Sequence, residues 1–401
     1  MLVLAYPENS CGPDNYRDQL GVYLPTGRQA QLLIAENIVL NTKKRKMTLE
    51  DLGYNSSLEN YRKEHNLDSF EVGRVISEHK ERYIVKTAQN EFDAELIGNL
   101  RFAAQSRSNF PAVGDWVAIS EYDEDKALIH SIYPRKSIIE RQAVGKFGEK
   151  QIIATNIDYG LIVQAVDRDF NVNRLERYLT ICNASKVKPI IILSKIDLIN
   201  ESRLKTILDK ISERIKDVPI ITISNQTHFG YNELIAIIKK GETYCLLGSS
   251  GVGKSTLLNN ISGKELMKTD SISLSTSKGR HITSHRELII LENGGILIDN
   301  PGMREVGIAD TTSGLEVTFE TIVKLSQGCK FKNCTHIHET GCAILKAVEK
   351  GEIDKDSYEN YLKMEKEKMN FESSVVERRK KDKDFGKMLK NYKKDKKSNK
   401  R

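Results

Sequence analysis

The sequence predicts a multidomain molecule in three parts: a small N-terminal β-barrel, a central α/β nucleotide-binding domain and a C-terminal helical unit organised by a metal. Three observations predict it. Residues 71–142 break into five short strand patterns joined by turns, Gly248–Ser255 places a glycine-rich loop between an apolar strand and a helix pattern, and three cysteines crowd residues 329–342. At 401 residues the chain is long enough for two or three separately cored domains.

The loop Gly248-Ser249-Ser250-Gly251-Val252-Gly253-Lys254-Ser255 follows Tyr244-Cys245-Leu246-Leu247 and precedes Thr256-Leu257-Leu258. Its glycines let backbone N–H groups wrap phosphates, Lys254 is spaced to reach the terminal phosphates, Ser255 offers a hydroxyl to Mg²⁺, and Thr256 opens the helix beside them. Upstream, the strand pattern Lys188–Leu193 runs into Ser194-Lys195-Ile196-Asp197, a loop of the [N/T]KxD form. The Asp197 carboxylate can accept hydrogen bonds from N1–H and N2–H₂ of guanine, donors that adenine lacks at that edge, while Lys195 can lay its stem along the base. The nucleotide is therefore read as GTP. Ser194 stands where Asn is usual, and its shorter side chain is expected to forfeit one hydrogen bond, on the order of 0.5–1.5 kcal/mol.

Two weaker boxes complete the site. Strand Val218–Ile223 ends in Ser224-Asn225, a second guanine-side loop, and Leu297-Ile298 leads into Asp299-Asn300-Pro301-Gly302, a DxxG in which Asp299 would hold Mg²⁺ through water and the Gly302 amide would meet the γ-phosphate. The polar segment 276–284 between the phosphate loop and DxxG is the expected switch loop, with Thr283 completing the Mg²⁺ shell. Ordinary small GTPases place the phosphate loop first; here the KxD box and Ser-Asn precede it. A cyclic shift of the same parts preserves the site, because open α/β sheets gather ligands at the carboxyl ends of their strands. After DxxG, where a Gln often orients the attacking water, this chain has Met303, which cannot.

The C-terminal cluster reads C-x4-C-x-H-x5-C, namely Cys329, Cys334, His336 and Cys342. Three thiolates and an imidazole form the donor set of one closed tetrahedral structural Zn²⁺, with no open position for catalysis, and His338 competes with His336 for the fourth place. The metal would supply stability that so small a unit lacks.

The permuted order, the segment Gly279-Arg280-His281-Ile282-Thr283-Ser284-His285-Arg286-Glu287-Leu288 and the cysteine cluster together resemble the ribosome small-subunit-dependent GTPase family (RsgA, also called YjeQ), from Met47 to Tyr361. The resemblance implies an RNA-binding OB-fold at 71–142, a circularly permuted P-loop GTPase at 150–312 and a zinc-binding helical domain at 313–370. It favours His336 as the fourth zinc ligand and gives the water-orienting role to His281, which with Lys254 would be catalytic. It further implies a monomer that binds the small ribosomal subunit and its rRNA, with other assembly factors as further partners. Slow intrinsic hydrolysis would rise on the subunit during late maturation and release the protein or a co-bound factor. The competing expectation is a GTP-regulated rRNA-binding switch whose hydrolysis is incidental; a permuted GTPase of the large subunit fits the domain pattern less well.

Charge and the remaining segments refine this. The net charge of +7 is concentrated in the tail, where residues 378–401 hold 13 Lys/Arg and 3 Asp/Glu. Residues 371–401 are expected to be a disordered basic tail open to RNA, 47–70 a lead-in and 1–46 an extension of uncertain purpose. In the barrel, Arg101, Phe102, Arg107, Lys136 and Arg141 are candidate RNA contacts, while Trp116, inside an apolar strand, is expected in the core. No apolar run has the length of a membrane helix, the N-terminus lacks a signal-peptide pattern, and six cysteines do not make a secreted disulfide framework, so a cytoplasmic location is expected.

Overall fold

Strands β1 (Glu71–His79), β2 (Arg82–Lys86), β3 (Glu91–Leu96), β4 (Trp116–Asp123) and β5 (Lys126–Ile132) owe their pairing to alternation. In β3 the acidic Glu91, Asp93 and Glu95 face water while Phe92, Ala94 and Leu96 are buried, the period of two that a half-buried strand requires. The computed structural model describes residues 47–79, 81–104, 106–142, 150–167, 170–263, 287–299 and 312–398, and its contacts divide the chain into units 1–47 and 48–401. Among the described residues, every strand and helix belongs to the second unit.

The barrel strands run in the order β1-β2-β3-β5-β4, and β4 pairs back onto β1 through Gly73↔Val117 and Arg74↔Trp116. The β3–β5 pairing is parallel and the others antiparallel, a closed five-stranded, OB-like barrel that leaves no edge exposed. Val75, Tyr83, Val85, Phe92, Ile119 and Ile129 fill its interior. Trp116 is 2% exposed and packs edge-on against Tyr54, 5.1 Å between centroids, so it belongs to the core as expected.

The lead-in is structured. Its helix α1 (Ser56–Glu64) is capped by the Asn55 side chain, which accepts from the Ser57 and Leu58 amides. Arg74, 1% exposed, donates to the carbonyls of Leu52 (2.6 Å), Gly114 (3.2 Å) and Asn156 (3.2 Å), riveting lead-in, barrel and central domain together. Burial brings its guanidinium down to about 10, opposed by Asp158 and Asp115, so it stays cationic at neutral pH. In the β3–β4 connection, the short helix α2 (Gly98–Ala103) holds Phe102 almost fully exposed.

Strand β6 (Ile138–Gln142) pairs with β7 (Lys150–Thr155) in a separate two-stranded sheet. Residues 138–142, read from sequence as the end of the barrel segment, are therefore hydrogen-bonded to the chain that follows.

The central sheet has the order β10 (Ile220–Thr222), β9 (Lys188–Ser194), β8 (Tyr159–Ala165), β11 (Thr243–Leu247), β13 (Ile296–Asp299), β12 (Glu287–Ile290). Five of these strands are parallel and β12 is antiparallel to β13. Near-continuous apolar runs such as Ile190–Leu193 and Tyr244–Leu247 are buried, as parallel strands covered on both faces must be. Helices α3 (Val172–Ala184) and α4 (Glu201–Arg214) cover one face through Leu175, Leu179, Ile207 and Ile211; α5 (Tyr231–Ile237) and α6 (Lys254–Ser262) cover the other through Leu234, Leu257 and Leu258. A single antiparallel bridge, Ser77↔Glu287, joins this sheet to the barrel.

Beyond the sheet, α7 (Thr312–Thr318) and α8 (Glu320–Ser326) break at Phe319; α9 (Ala343–Glu349) and α10 (Lys355–Ser398) follow the cysteine loop. Gly314 permits α7 to lie against α3: a Cβ there would stand 2.2 Å from the Thr180 carbonyl oxygen. The expectation of disorder after residue 370 is corrected, since α10 is one helix of 44 residues. Lys, Arg, Glu and Met are strong helix formers, no proline interrupts the run, and its docked start, with Tyr361, Met364 and Phe371 buried, supplies the costly nucleus.

Candidate nucleotide site and metal centre

The carboxyl ends of β8, β9, β10, β11 and β13 lie on one edge of the sheet because those strands are parallel, and this collects the sequence boxes. Gln164–Asp167, Ser194–Asp197, Ser224-Asn225, Gly248–Ser255 and Asp299 therefore meet there despite their permuted order.

The phosphate loop leaves β11 at Gly248, whose φ of +145° comes with a backbone approach so tight that a Cβ would fall 2.3 Å from the Val163 carbonyl oxygen. It enters α6 at Gly253, φ +96°, the helix N-terminus that favours anions. Amides turned toward phosphates oblige carbonyls to turn outward, and those carbonyls are satisfied. Lys254 Nζ donates to Gly248 O (2.7 Å) and Ser249 O (2.6 Å), placing the ammonium across the loop. The Ser194 hydroxyl donates to Val252 O at 2.7 Å, and the Asn225 amide nitrogen to Gly253 O at 3.0 Å. Ser194, fully buried, thus ties the KxD box to the phosphate loop. Tyr178 of α3 is hydrogen-bonded to the Ser249 side chain, and burial pushes its phenol above the ordinary range.

The base side is equally tied. Ser224 Oγ donates to Asp197 Oδ1 at 2.6 Å and accepts from the amides of Gln226 and Thr227, fixing the exposed carboxylate's orientation. Lys195 adopts a left-handed backbone, φ +63°, and its ammonium meets Asp167 Oδ2 at 2.9 Å. Ile196 and Asp197 then form a 3₁₀ turn. Asp299 is buried at the end of β13. The sequence reading missed Asp167, Tyr178, Tyr231 and Asn260. Asp167 carried a usable signal, a carboxylate just past the end of a buried parallel strand; the other three sit on helix faces with no motif.

His281, Thr283 and Gly302, together with Met303 and the switch segment 276–284, lie outside the described residues, as do residues 1–46. Of the candidate RNA contacts, Arg101 pairs with Glu81 at 3.4 Å, Lys136 pairs with Asp158, and Phe102 and Arg107 are exposed; the side chain of Arg141 is outside the described set.

At the cysteine loop, the ligand atoms of Cys329, Cys334, His336 and Cys342 lie within 4.8 Å of one another. His336 Nδ1 is 3.5 Å from both Cys329 Sγ and Cys342 Sγ, which are 3.9 Å apart. A tetrahedral zinc with ordinary bond lengths requires sulfur–nitrogen and sulfur–sulfur separations of about 3.6 and 3.8 Å. The donor set therefore fits one Zn²⁺, and His338, exposed, stands outside it. Tyr358 Oη donates to the His336 carbonyl at 2.5 Å and fixes the ligand's left-handed backbone, φ +61°. The Glu339 carboxylate accepts from the Thr335 amide (2.7 Å) and hydroxyl and from the amides of Ile337 (3.1 Å) and His338 (3.2 Å). The Thr335 hydrogen bonds hold its carboxyl well below the usual range.

A buried seam joins this unit to the central domain. Glu176 of α3, 2% exposed, accepts from Arg214 Nη2 (2.7 Å) and Nε (3.1 Å), Ser357 Oγ (2.8 Å) and Asn360 Nδ2 (2.6 Å). At the next position of the same helix, Arg177 pairs with Glu367 at 2.7 Å.

Comparison with known proteins decides the family. The chain is 42% identical, over 80% of its own length and 89% of the relative's, to Small ribosomal subunit biogenesis GTPase RsgA 2 of Listeria monocytogenes. The chain belongs to the RsgA GTPase family. The family model described as RsgA GTPase matches residues 132–309. A model described as ABC transporter matches residues 231–400, a span with the phosphate loop but without Asp197. An RsgA of Methanosarcina acetivorans is 40% identical over 76% of this chain and 81% of its own. Two solved structures share the fold: YjeQ from Thermotoga maritima, TM-score 0.55 at 24% identity over 73% of this chain and 96% of that one, and YloQ, described as a circularly permuted GTPase, TM-score 0.54 at 25% identity over 78% and 98%. As a member of that family the chain is a GTP hydrolase, and its fold is shared with a GTPase described as circularly permuted.

Proposed function

We propose that this GTPase acts on the small ribosomal subunit, hydrolysing GTP during late maturation so that the protein or a co-bound assembly factor leaves. The observation that carries the nucleotide half is the meeting of a Ser224-oriented Asp197 with the Gly248–Ser255 loop on one sheet edge. The relatives' printed name supports the ribosomal half. In this reading Asp197 and Lys195, with Ser194, Ile196 and Ser224 around them, hold guanine, while the amides of 248–256 and Lys254 hold the phosphates. Ser255 and Thr283, with Asp299 through water, would hold Mg²⁺, and Gly302 would meet the γ-phosphate. Held by these residues, Mg²⁺ would supply neutralisation of phosphate charge. His281 orients the attacking water, a role suited to an imidazole near neutral pH. Zinc is structural. The basic helix beyond residue 371 and the barrel residues Arg101, Phe102 and Arg107 face rRNA, and the protein works as a cytoplasmic monomer. Among the described residues no helix is long and apolar enough to cross a membrane.

Steady-state GTPase rates of the chain alone, with small subunits and with large subunits test this. Stimulation by small subunits alone is expected; stimulation by large subunits, or by neither, would refute the ribosomal assignment. His281→Ala should bind GTP and subunits yet lose the stimulated rate.

A further inference from the structure

Residues 224 and 225 face opposite ways. Ser224 orients the carboxylate that reads the base, whereas the next side chain, Asn225, reaches the phosphate loop 28 residues along the chain. The Asn225 amide nitrogen donates to Gly253 O at 3.0 Å, and its amide oxygen accepts from Tyr231 Oη at 2.8 Å. Tyr231 Oη in turn accepts from Asn260 Nδ2 at 2.9 Å, and the same Asn260 nitrogen donates to the Asn225 carbonyl at 3.3 Å. Gly253 and Asn260 both belong to the phosphate-loop end and body of α6. The ring therefore closes from helix start, through the base-side loop and the first residue of α5, back to the helix two turns later.

Its polarity is unambiguous. Gly253 O can only accept, so the amide of Asn225 cannot be reversed without setting two oxygens against each other and leaving the phenol without its acceptor. Burial pushes the Tyr231 phenol above its ordinary range, which keeps it a donor at physiological pH. The close approach of Asn225 requires a glycine at 253: a Cβ there would stand 2.6 Å from Nδ2.

We propose that Asn225 is a positioning residue that couples the base-reading loop to the phosphate loop, with Tyr231 and Asn260 locking its amide. Its side-chain amide is engaged by Gly253 O and Tyr231 Oη. It acts by holding Asp197, through Ser224, at a fixed distance from the first turn of α6, so that a guanine seated in one loop presents its phosphates to the other. Hydrogen-bonded chains of this kind strengthen one another, so deletions within the ring should not add.

The inference rests on the guanine-nucleotide reading above, and the test separates the two. Dissociation constants for GTP, ATP and inosine triphosphate, which lacks the 2-amino group that Asp197 reads, are measured for the full chain and for Asn225→Ala, Tyr231→Phe and the double variant, with melting midpoints alongside. Tyr231→Phe removes one hydroxyl and keeps the buried ring, so it remains informative if Asn225→Ala folds poorly. Asn225→Ala should weaken GTP about 10-fold and Tyr231→Phe about 3-fold, and the double variant should match Asn225→Ala alone. The GTP to inosine triphosphate ratio should fall toward one in each. Additive effects, or weaker binding of both nucleotides at an unchanged ratio, would reduce Asn225 to a structural residue and overturn the coupling. A wild-type chain with no preference for GTP over ATP would overturn the guanine-site reading, and the coupling with it.

Discussion

The nucleotide site and the cysteine loop are both made of turns, and they obtain their rigidity from different sources. The nucleotide loops hang from five parallel strands and are cross-bonded by Ser194, Ser224 and Asn225, side chains that reach neighbouring backbone or carboxylate oxygens. Among the described residues the cysteine loop has no strand beneath it. Its order comes from four ligands around one point, from Glu339 gathering three amide donors, and from a small core of Leu315, Phe319, Ile344, Tyr361 and Met364. One site is cross-bonded on a sheet edge; the other would draw much of its stability from a metal, as small zinc units do. Zinc removal should therefore cripple one region and spare the other.

That contrast sets the order of the expected effects. Cys342→Ser, or exhaustive chelation, should remove one equivalent of zinc and leave residues 312–370 protease-sensitive, since structural zinc contributes roughly 10–16 kcal/mol in zinc-finger peptides. GTP binding by the central domain should persist, as titration with a fluorescent nucleotide would show; loss of both together would break the contrast.

The seam tests how separate the two regions are. Glu176→Ala leaves Arg214 buried without its carboxylate and takes the acceptor from Ser357 and Asn360. It should cost about 3–5 kcal/mol in denaturant unfolding, because an uncompensated buried charge is the expensive outcome. The Asp354 carboxylate, 3.5 Å from Arg214, places the expectation toward the lower end.

Within the nucleotide site the effects are smaller. Asp197→Asn should weaken GTP by about 10- to 100-fold, the worth of hydrogen bonds to a charged group, and erase the preference over ATP in competition assays. Ser194→Ala should cost about 1–3 kcal/mol by leaving Val252 O unsatisfied, while Ser194→Asn should restore most of it, read from melting and GTP affinity together.

The smallest effect is a pH slope at the cysteine loop. A carboxyl held below its ordinary range contributes stability that is fully present above that range and is lost as pH falls through its folded value. Glu339→Gln should flatten the acid side of the metal-loaded protein's melting curve relative to wild type. Coincident curves would show that the four hydrogen bonds to Glu339 are replaced by water at little cost.

Much of this was legible in the residues. The five barrel strands, the buried position of Trp116, the strand–loop–helix around Gly248 and the three cysteine ligands follow from period, spacing and donor chemistry, which are local; His336 rather than His338 as the fourth ligand came from the family resemblance. The basic tail was misread for a related reason: charge density suggests a solvated coil, but helix propensity summed over a run of Lys, Arg, Glu and Met, started from a docked first segment, favours a helix.

The chemistry was written in residues a few positions apart: a phosphate loop, a carboxylate proposed to read guanine and a Cys-Cys-His-Cys cluster that fits zinc. What holds these parts was left to packing. Ser194 meets Val252 across 58 residues, Asn225 meets Gly253 across 28, and Glu176 meets Asn360 across 184. No periodicity encodes such pairs, because a single hydroxyl or amide acquires a role only when the folded chain brings one particular carbonyl or carboxylate within reach.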